Sequence, residues 1–141
     1  MWLNQREDCA VRLMVDLACL SENTRTTVKE VARRQKVPER FMAKIVTQAV
    51  AAGLVETYRG TGGGLALAGD AESVTLLEIV ESAGRPVALT RCTSEPSRCP
   101  LLGRCAVLPV WDKAQRQLKE LLASTTLAEL AQAQKKLERT D

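Results

Sequence analysis

Three of the five cysteines, Cys92, Cys99 and Cys105, fall within "RCTSEPSRCPLLGRC", residues 91–105, at the spacing C-x6-C-x5-C. Paired Cys-x-x-Cys knuckles, the usual sign of structural zinc, are absent. The chain has no histidine, which excludes Cys/His zinc sites and thiol–histidine catalysis. Arg91, Arg98 and Arg104 each precede a cysteine directly, and neighbouring cations are expected to favour the thiolate that binds metal. Cys105 also precedes a predicted helix, whose dipole would act in the same direction. From the spacing alone, three thiolates in a polar loop suit an iron–sulfur cluster with a fourth ligand from elsewhere. Zinc, redox-active thiols and no special role stay open beside it. Cys9 and Cys19 lie among apolar residues of a predicted helix and read as small buried thiols.

The segment "MWLNQREDCAVRLM" lacks the basic-then-apolar pattern of a secretory signal, and no apolar run approaches spanning length. A cytoplasmic protein with no membrane partner is expected, where clustered cysteines serve metal or redox chemistry more than disulfides. Aromatics are only 3% of the residues, so the core must be aliphatic. From Arg25 to Arg59 eight basic residues stand against three acidic ones, a net +5 that leaves −2 for the rest of a chain of net +3. Such a concentration is the footprint of a polyanion partner.

The elements that must position these groups follow from periodicity and caps. Residues 3–20 read as a helix, with Leu3, Ala10, Leu13, Met14, Leu17 and Leu20 near a 3.6 period. Thr27 and Glu30 form a capping-box signature for a short second helix with Val28, Val31 and Ala32 inward. Pro38 suits the first position of a third helix that ends at Gly53. Phe41, Ile45, Val46, Ala49 and Val50 form its apolar side, while Glu39, Arg40, Lys44, Thr47 and Gln48 face outward, able to reach phosphates or base edges. Two short strands follow around the turn containing Gly60, Gly62, Gly63 and Gly64, with Arg59 beside it. A nucleotide-binding P-loop would require a Lys-Ser/Thr pair and a helix after the glycines, and neither is there. This order defines a winged helix-turn-helix.

Downstream, Thr75 and Glu78 cap another helix that stops at Gly84. A longer helix over about 106–123 has Val107, Val110, Trp111, Ala114, Leu118, Leu121 and Leu122 at helical spacing, with Pro109 tolerable in its first turn. Its apolar face has no obvious cover, which points to dimerisation. A final capped segment, "TTLAELAQAQKKL", leads into a charged tail.

The phrases "VKEVARRQKVPERFMAKIV", "AGLVETYRGTGGGLAL" and "VTLLEIVE", with the three cysteines downstream, resemble the IscR/NsrR family of winged-helix transcription regulators. The resemblance runs from Leu3 to about Leu130. It implies a homodimer on a palindromic-like double-stranded DNA operator, with one iron–sulfur cluster per subunit in the loop ahead of the dimer helix. A four-iron [4Fe-4S] cluster is favoured by this analogy and a two-iron [2Fe-2S] cluster is possible. The histidine that IscR-like members place after the third cysteine is missing; "AVLPVW" stands there. Asp8 occupies the position of the aspartate that NsrR-like nitric-oxide sensors supply from the other subunit, so the expected ligands are Cys92, Cys99, Cys105 and Asp8. "RCPLLGRC" also resembles the iron-responsive branch, which keeps nitric oxide, redox state and iron as competing signals.

The expected fold is therefore mainly α, a winged helix-turn-helix with a two-stranded wing and a long C-terminal dimerisation helix. Residues 1–83 would form the DNA-binding domain, 84–105 the cluster loop, and 106–141 the dimerisation helix and tail. The expected DNA-facing set is Thr27, Glu39, Arg40, Lys44, Thr47, Gln48, Arg59, Gly60, Gly62 and Gly63. The function expected is that of a regulator, a repressor by preference, with no enzymatic activity and no small-molecule substrate. A thiol-based redox repressor without a cluster is the alternative, and an iron–sulfur electron or cluster carrier is a further one.

Overall fold

The structure is a computed structural model and describes residues 3–140. Met1, Trp2 and Asp141, the outermost residues of the first and last expected segments, lie outside that range. The first helix, α1, spans Gln5–Ala18, shorter than the periodicity suggests. Asn4 and Glu7 form a reciprocal cap that starts it, and this leaves Leu3 outside the helix and 54% exposed. Cys9, Leu13 and Met14 on its inner face are fully buried.

Next come α2 (Val28–Gln35) and α3 (Glu39–Ala51). Half of the expected capping box exists. The Thr27 side chain accepts from the Glu30 N–H at 3.2 Å, but the Glu30 carboxylate accepts from the Thr26 hydroxyl at 3.0 Å instead of reaching back to Thr27. The turn between α2 and α3 is made by Lys36 at φ 55°, a left-handed cap without glycine, and the Val37 N–H closes it onto the Ala32 carbonyl at 3.0 Å. Pro38 sits one residue earlier than expected, at the cap position. The buried face of α3 is Met42, Ile45, Val46 and Ala49; Phe41 is half-buried and Val50 is exposed. Methionine adapts to the gap against α1, while Val50 lies past the packed stripe.

The wing is β1 (Val55–Tyr58) paired antiparallel with β2 (Gly64–Leu67), in the register Val55 opposite Leu67 and Tyr58 opposite Gly64. Thr26 adds a third, single-residue bridge to Leu65. A 3-10 turn at Ala71–Ser73 leads to α4 (Leu76–Ala83), which has the expected Thr75–Glu78 box and ends at Gly84. The end of α4 lies against the start of α1, where a Cβ at Gly84 would displace the Glu7 side chain.

The cysteine loop contains a one-turn helix, α5 (Arg91–Ser94), and a 3-10 turn at Pro96–Arg98. Then α6 runs Leu108–Ser124 with Pro109 in its first turn. Its Leu118 and Leu122 pack on Val80 and Val87 in a small second core. Finally α7 (Leu127–Glu138), capped by Thr126 and Glu129, folds back onto α1. Leu127 is fully buried in the same core as α1, α2 and α3. The chain is mainly α with a two-stranded wing, as expected.

Candidate functional site

The charge of residues 25–59 divides into two populations. Lys29, Arg33, Lys36, Arg40, Lys44 and Arg59 are exposed and take part in no ion pair among the described residues. Arg34 is different. It grips the buried Asp16 of α1, with Nη2 2.6 Å from Oδ1 and Nε 3.0 Å from Oδ2, and the Asp16 partner raises its pKa. Gln35 donates to the same carboxylate at 2.9 Å, Arg12 donates to the Gln35 side chain at 3.1 Å, and Arg34 reaches Thr26 at 2.9 Å. Part of the basic run therefore fastens α2 to α1. Composition could not reveal this, because the partner carboxylate lies on another helix.

On α3 the candidates Glu39, Arg40, Lys44 and Thr47 are exposed, on successive turns of one face. The Thr47 hydroxyl donates to the Ala43 carbonyl at 2.9 Å. Gln48 stands apart from these four. It is half-buried, and its Oε1 is buried without a hydrogen-bond partner among the described residues. It turns into a cleft of about 800 Å³ whose walls include Arg6 and Glu7 of α1, Gly84 after α4, and Gln115 of α6. Thr27 is exposed at the start of α2 with its side chain committed to the cap.

At the wing tip Arg59, Gly60 and Gly62 are exposed and Gly63 half-buried. Gly60 (φ 85°) and Gly62 (φ 76°) need the left-handed region. A Cβ at Gly63 would strike the Tyr58 carbonyl. The glycine run is thus required by the turn itself, and it leaves a tip whose backbone can approach a ligand closely. Two residues not singled out in the sequence also belong here. Arg25 stacks over the Tyr58 ring at 3.5 Å from the centroid and donates to the Gly62 carbonyl at 3.1 Å.

Cys92 lies on α5, Cys99 after the 3-10 turn and Cys105 just before α6; all three are half-buried and free. The neighbouring Cys99 thiol, ahead of burial and the nearby Cys105, pushes the Cys92 pKa up. Arg98, which precedes Cys99, pairs with Glu95 at 3.1 Å. Among the described residues, no group of three or more His, Cys, Asp or Glu side chains is gathered as a single-ion site. The loop is anchored to α6 where the Leu89 N–H donates to Gln115 Oε1 at 3.1 Å. Asp8 is exposed on α1, 3.5 Å from Arg12 and otherwise unpaired among the described residues. Cys9 is buried, as expected, and Cys19 half-buried, its thiol 3.7 Å from the Ala131 carbonyl.

A helix-turn-helix followed by a glycine-tipped wing, with exposed cations on both, defines a winged-helix DNA-binding protein. Residues 3–133 match the Rrf2 family, described as iron-dependent transcriptional regulators, and the chain belongs to that family. Protein aau3 of Rhizobium meliloti (strain 1021) is 32% identical over 134 residues, covering 94% of this chain and 86% of that protein. The HTH-type transcriptional regulator IscR of Vibrio campbellii is 27% identical over 141 residues, covering all of this chain and 83% of its own length. The solved structure of CymR, the global cysteine regulator of B. subtilis, superposes with a TM-score of 0.80 at 23% identity, covering 94% of this chain and 98% of that one. At that identity the likeness speaks for the fold. The chain is a DNA-binding transcriptional regulator and not an enzyme.

Proposed function

We propose that the protein is a homodimeric repressor whose hold on a two-fold DNA operator is set by an iron–sulfur cluster on Cys92, Cys99 and Cys105. The observation that carries this reading is that one loop, bonded to α6, carries three half-buried, free thiols. The family's description as iron-dependent supports it. The donor set fits: three soft thiol ligands on one loop suit iron and sulfide, and leave one position for a ligand from outside the loop. Asp8 of the partner subunit is the candidate for that position. Among the described residues its exposed carboxylate is held only by the long contact to Arg12. A four-iron cluster is favoured and a two-iron one is the alternative.

When bound, the cluster supplies a centre that reacts with nitric oxide or oxygen and is lost when iron is scarce. The chain's own residues do the rest. Cys92 sits on α5, Cys99 directly after the 3-10 turn and Cys105 three residues ahead of α6, so ligation would constrain α5, the 3-10 turn and the entry to α6 together. The exposed apolar side chains Val107, Val110, Trp111 and Leu121 of the α6 region form the seam to a second copy. On DNA, Glu39, Arg40, Lys44 and Thr47 face the major groove from α3, and Thr27 approaches the backbone at the start of α2. Arg59 and the backbone of Gly60, Gly62 and Gly63 meet the adjacent groove.

A second reading draws on the closeness of the Cys92 and Cys99 thiols. They would lose two electrons and two protons to an oxidant and form a disulfide, a redox switch on the same scaffold. One experiment separates the two readings. The protein is purified without oxygen, and iron and acid-labile sulfide are measured per subunit beside the visible spectrum. Equal amounts, about four or about two per subunit, are expected. Colourless protein after attempted reconstitution, with reversible thiol oxidation, would transfer the function to the disulfide.

A further inference from the structure

The few residues that lead into α2 touch both wing strands, the wing tip and α2 itself. Arg25 lies flat over the Tyr58 ring, 3.5 Å from its centroid, and donates from Nη1 to the Gly62 carbonyl at 3.1 Å. Thr26 exchanges two hydrogen bonds with Leu65 of β2, at 2.7 and 3.2 Å. Thr27 caps α2. The Tyr58 ring is itself oriented, since its hydroxyl donates to the Glu56 carboxylate at 2.6 Å. At Gly64 a Cβ would run into the Thr26 carbonyl, so the two segments approach as closely as backbone allows.

We propose that Arg25 is the positioning residue of the wing, fixing the Arg59–Gly63 tip against α2 so that Arg59 meets the DNA already in place. The tip has three glycines in its five residues and one internal bond, from the Gly63 N–H to the Gly60 carbonyl at 2.9 Å. A tip so rich in glycine loses much freedom when it is ordered, and that cost falls on binding unless something pre-orders it. The stack and the Gly62 bond do so from outside the hairpin. Both need the guanidinium: a flat cation can cover the ring and still direct one N–H sideways, which an ammonium cannot. Arg25 therefore acts through Arg59, in contrast to the free cations of α2 and α3 that are available to phosphates.

This inference rests on the reading that the wing meets DNA, and the test keeps the two apart. The probe is a duplex selected by the protein itself from a random-sequence library, with affinities measured at one fixed salt concentration. Arg59→Ala comes first; if it leaves affinity unchanged, the wing reading fails and the inference with it. Given a loss there, Arg25→Ala is expected to weaken binding about tenfold, and Arg25→Lys by nearly as much. The double variant should be no weaker than Arg59→Ala alone to within about twofold. Without DNA, amide hydrogen exchange at residues 60–64 should quicken in both Arg25 variants. Wild-type affinity in Arg25→Lys would make Arg25 a simple phosphate contact and overturn the proposal. Losses that multiply in the double variant, or unchanged exchange at the tip, would overturn it equally.

Discussion

The polar groups between α1 and α2 and those of the cysteine loop are organised in opposite ways. Asp16 collects Arg34 and Gln35 from 18 and 19 residues away, and Arg12 closes on Gln35 from 23. In the loop most side-chain bonds are local, Thr90 with Thr93 and Ser94 with Arg91, and Val87 reaches back six residues to Glu81 of α4. Its long-range anchor is the bond from Leu89 to Gln115. Core burial follows the same divide, with Leu13, Met42, Ile45 and Leu127 sealed while Leu101 and Leu102 are 57% and 52% exposed. The winged-helix unit holds its geometry with its own side chains. The loop is held by local bonds and by its anchors on α4 and α6, and on the proposed reading its remaining constraint would come from what the thiols bind and from a second copy of the chain.

The contrast can be broken most sharply at Leu127. Leu127→Ala should cost about 2–5 kcal/mol in chemical unfolding, because a fully buried side chain leaves a cavity in a core shared by α1 and α7. A loss under about 1 kcal/mol would mean that α7 is an appendage. Asp16→Ala comes next, at about 1–3 kcal/mol, since it strips Arg34 and Gln35 of a shared acceptor. Urea denaturation monitored by circular dichroism reads it directly. Leu121→Lys probes the other half. Unfolding of the single chain should shift by about 0.5 kcal/mol or less, while sedimentation moves from dimer to monomer; an unaltered dimer would place the seam elsewhere. Asp8→Ala is similarly small in stability, since an exposed pair contributes about 0–1 kcal/mol. Its signature is a shorter cluster lifetime under oxygen at unchanged melting, and an unchanged lifetime removes Asp8 from the ligand set.

The regions differed equally in how far the sequence disclosed them. Helix starts at Thr75 and the glycine turn at 60–64 were legible because cap and turn chemistry is local. The inward Met42, the outward Val50 and the diverted Glu30 were not, since each depends on a neighbour supplied by another element. Gln48 carries the same lesson. Periodicity set it beside Lys44 and Thr47, and only the meeting of α1, α4 and α6 turns it into the cleft. Arg34 and Arg25 counted toward a basic surface in the sequence, yet one is tied to Asp16 and the other to Tyr58. The three cysteines were conspicuous, whereas the approach of Cys92 to Cys99 required the fold of the loop between them.

The return of α7 to α1 has a consequence for how the protein comes into being. Cys19 meets Ala131 across 112 residues of chain, and Leu127 completes a core begun by Leu13. During synthesis the first three helices and the wing emerge long before the helix that seals them. Contacts so distant in the chain close late and slow the final step. Until then the nascent chain holds an unsealed apolar face, so the core behind the DNA-reading helices closes only once α7 has emerged.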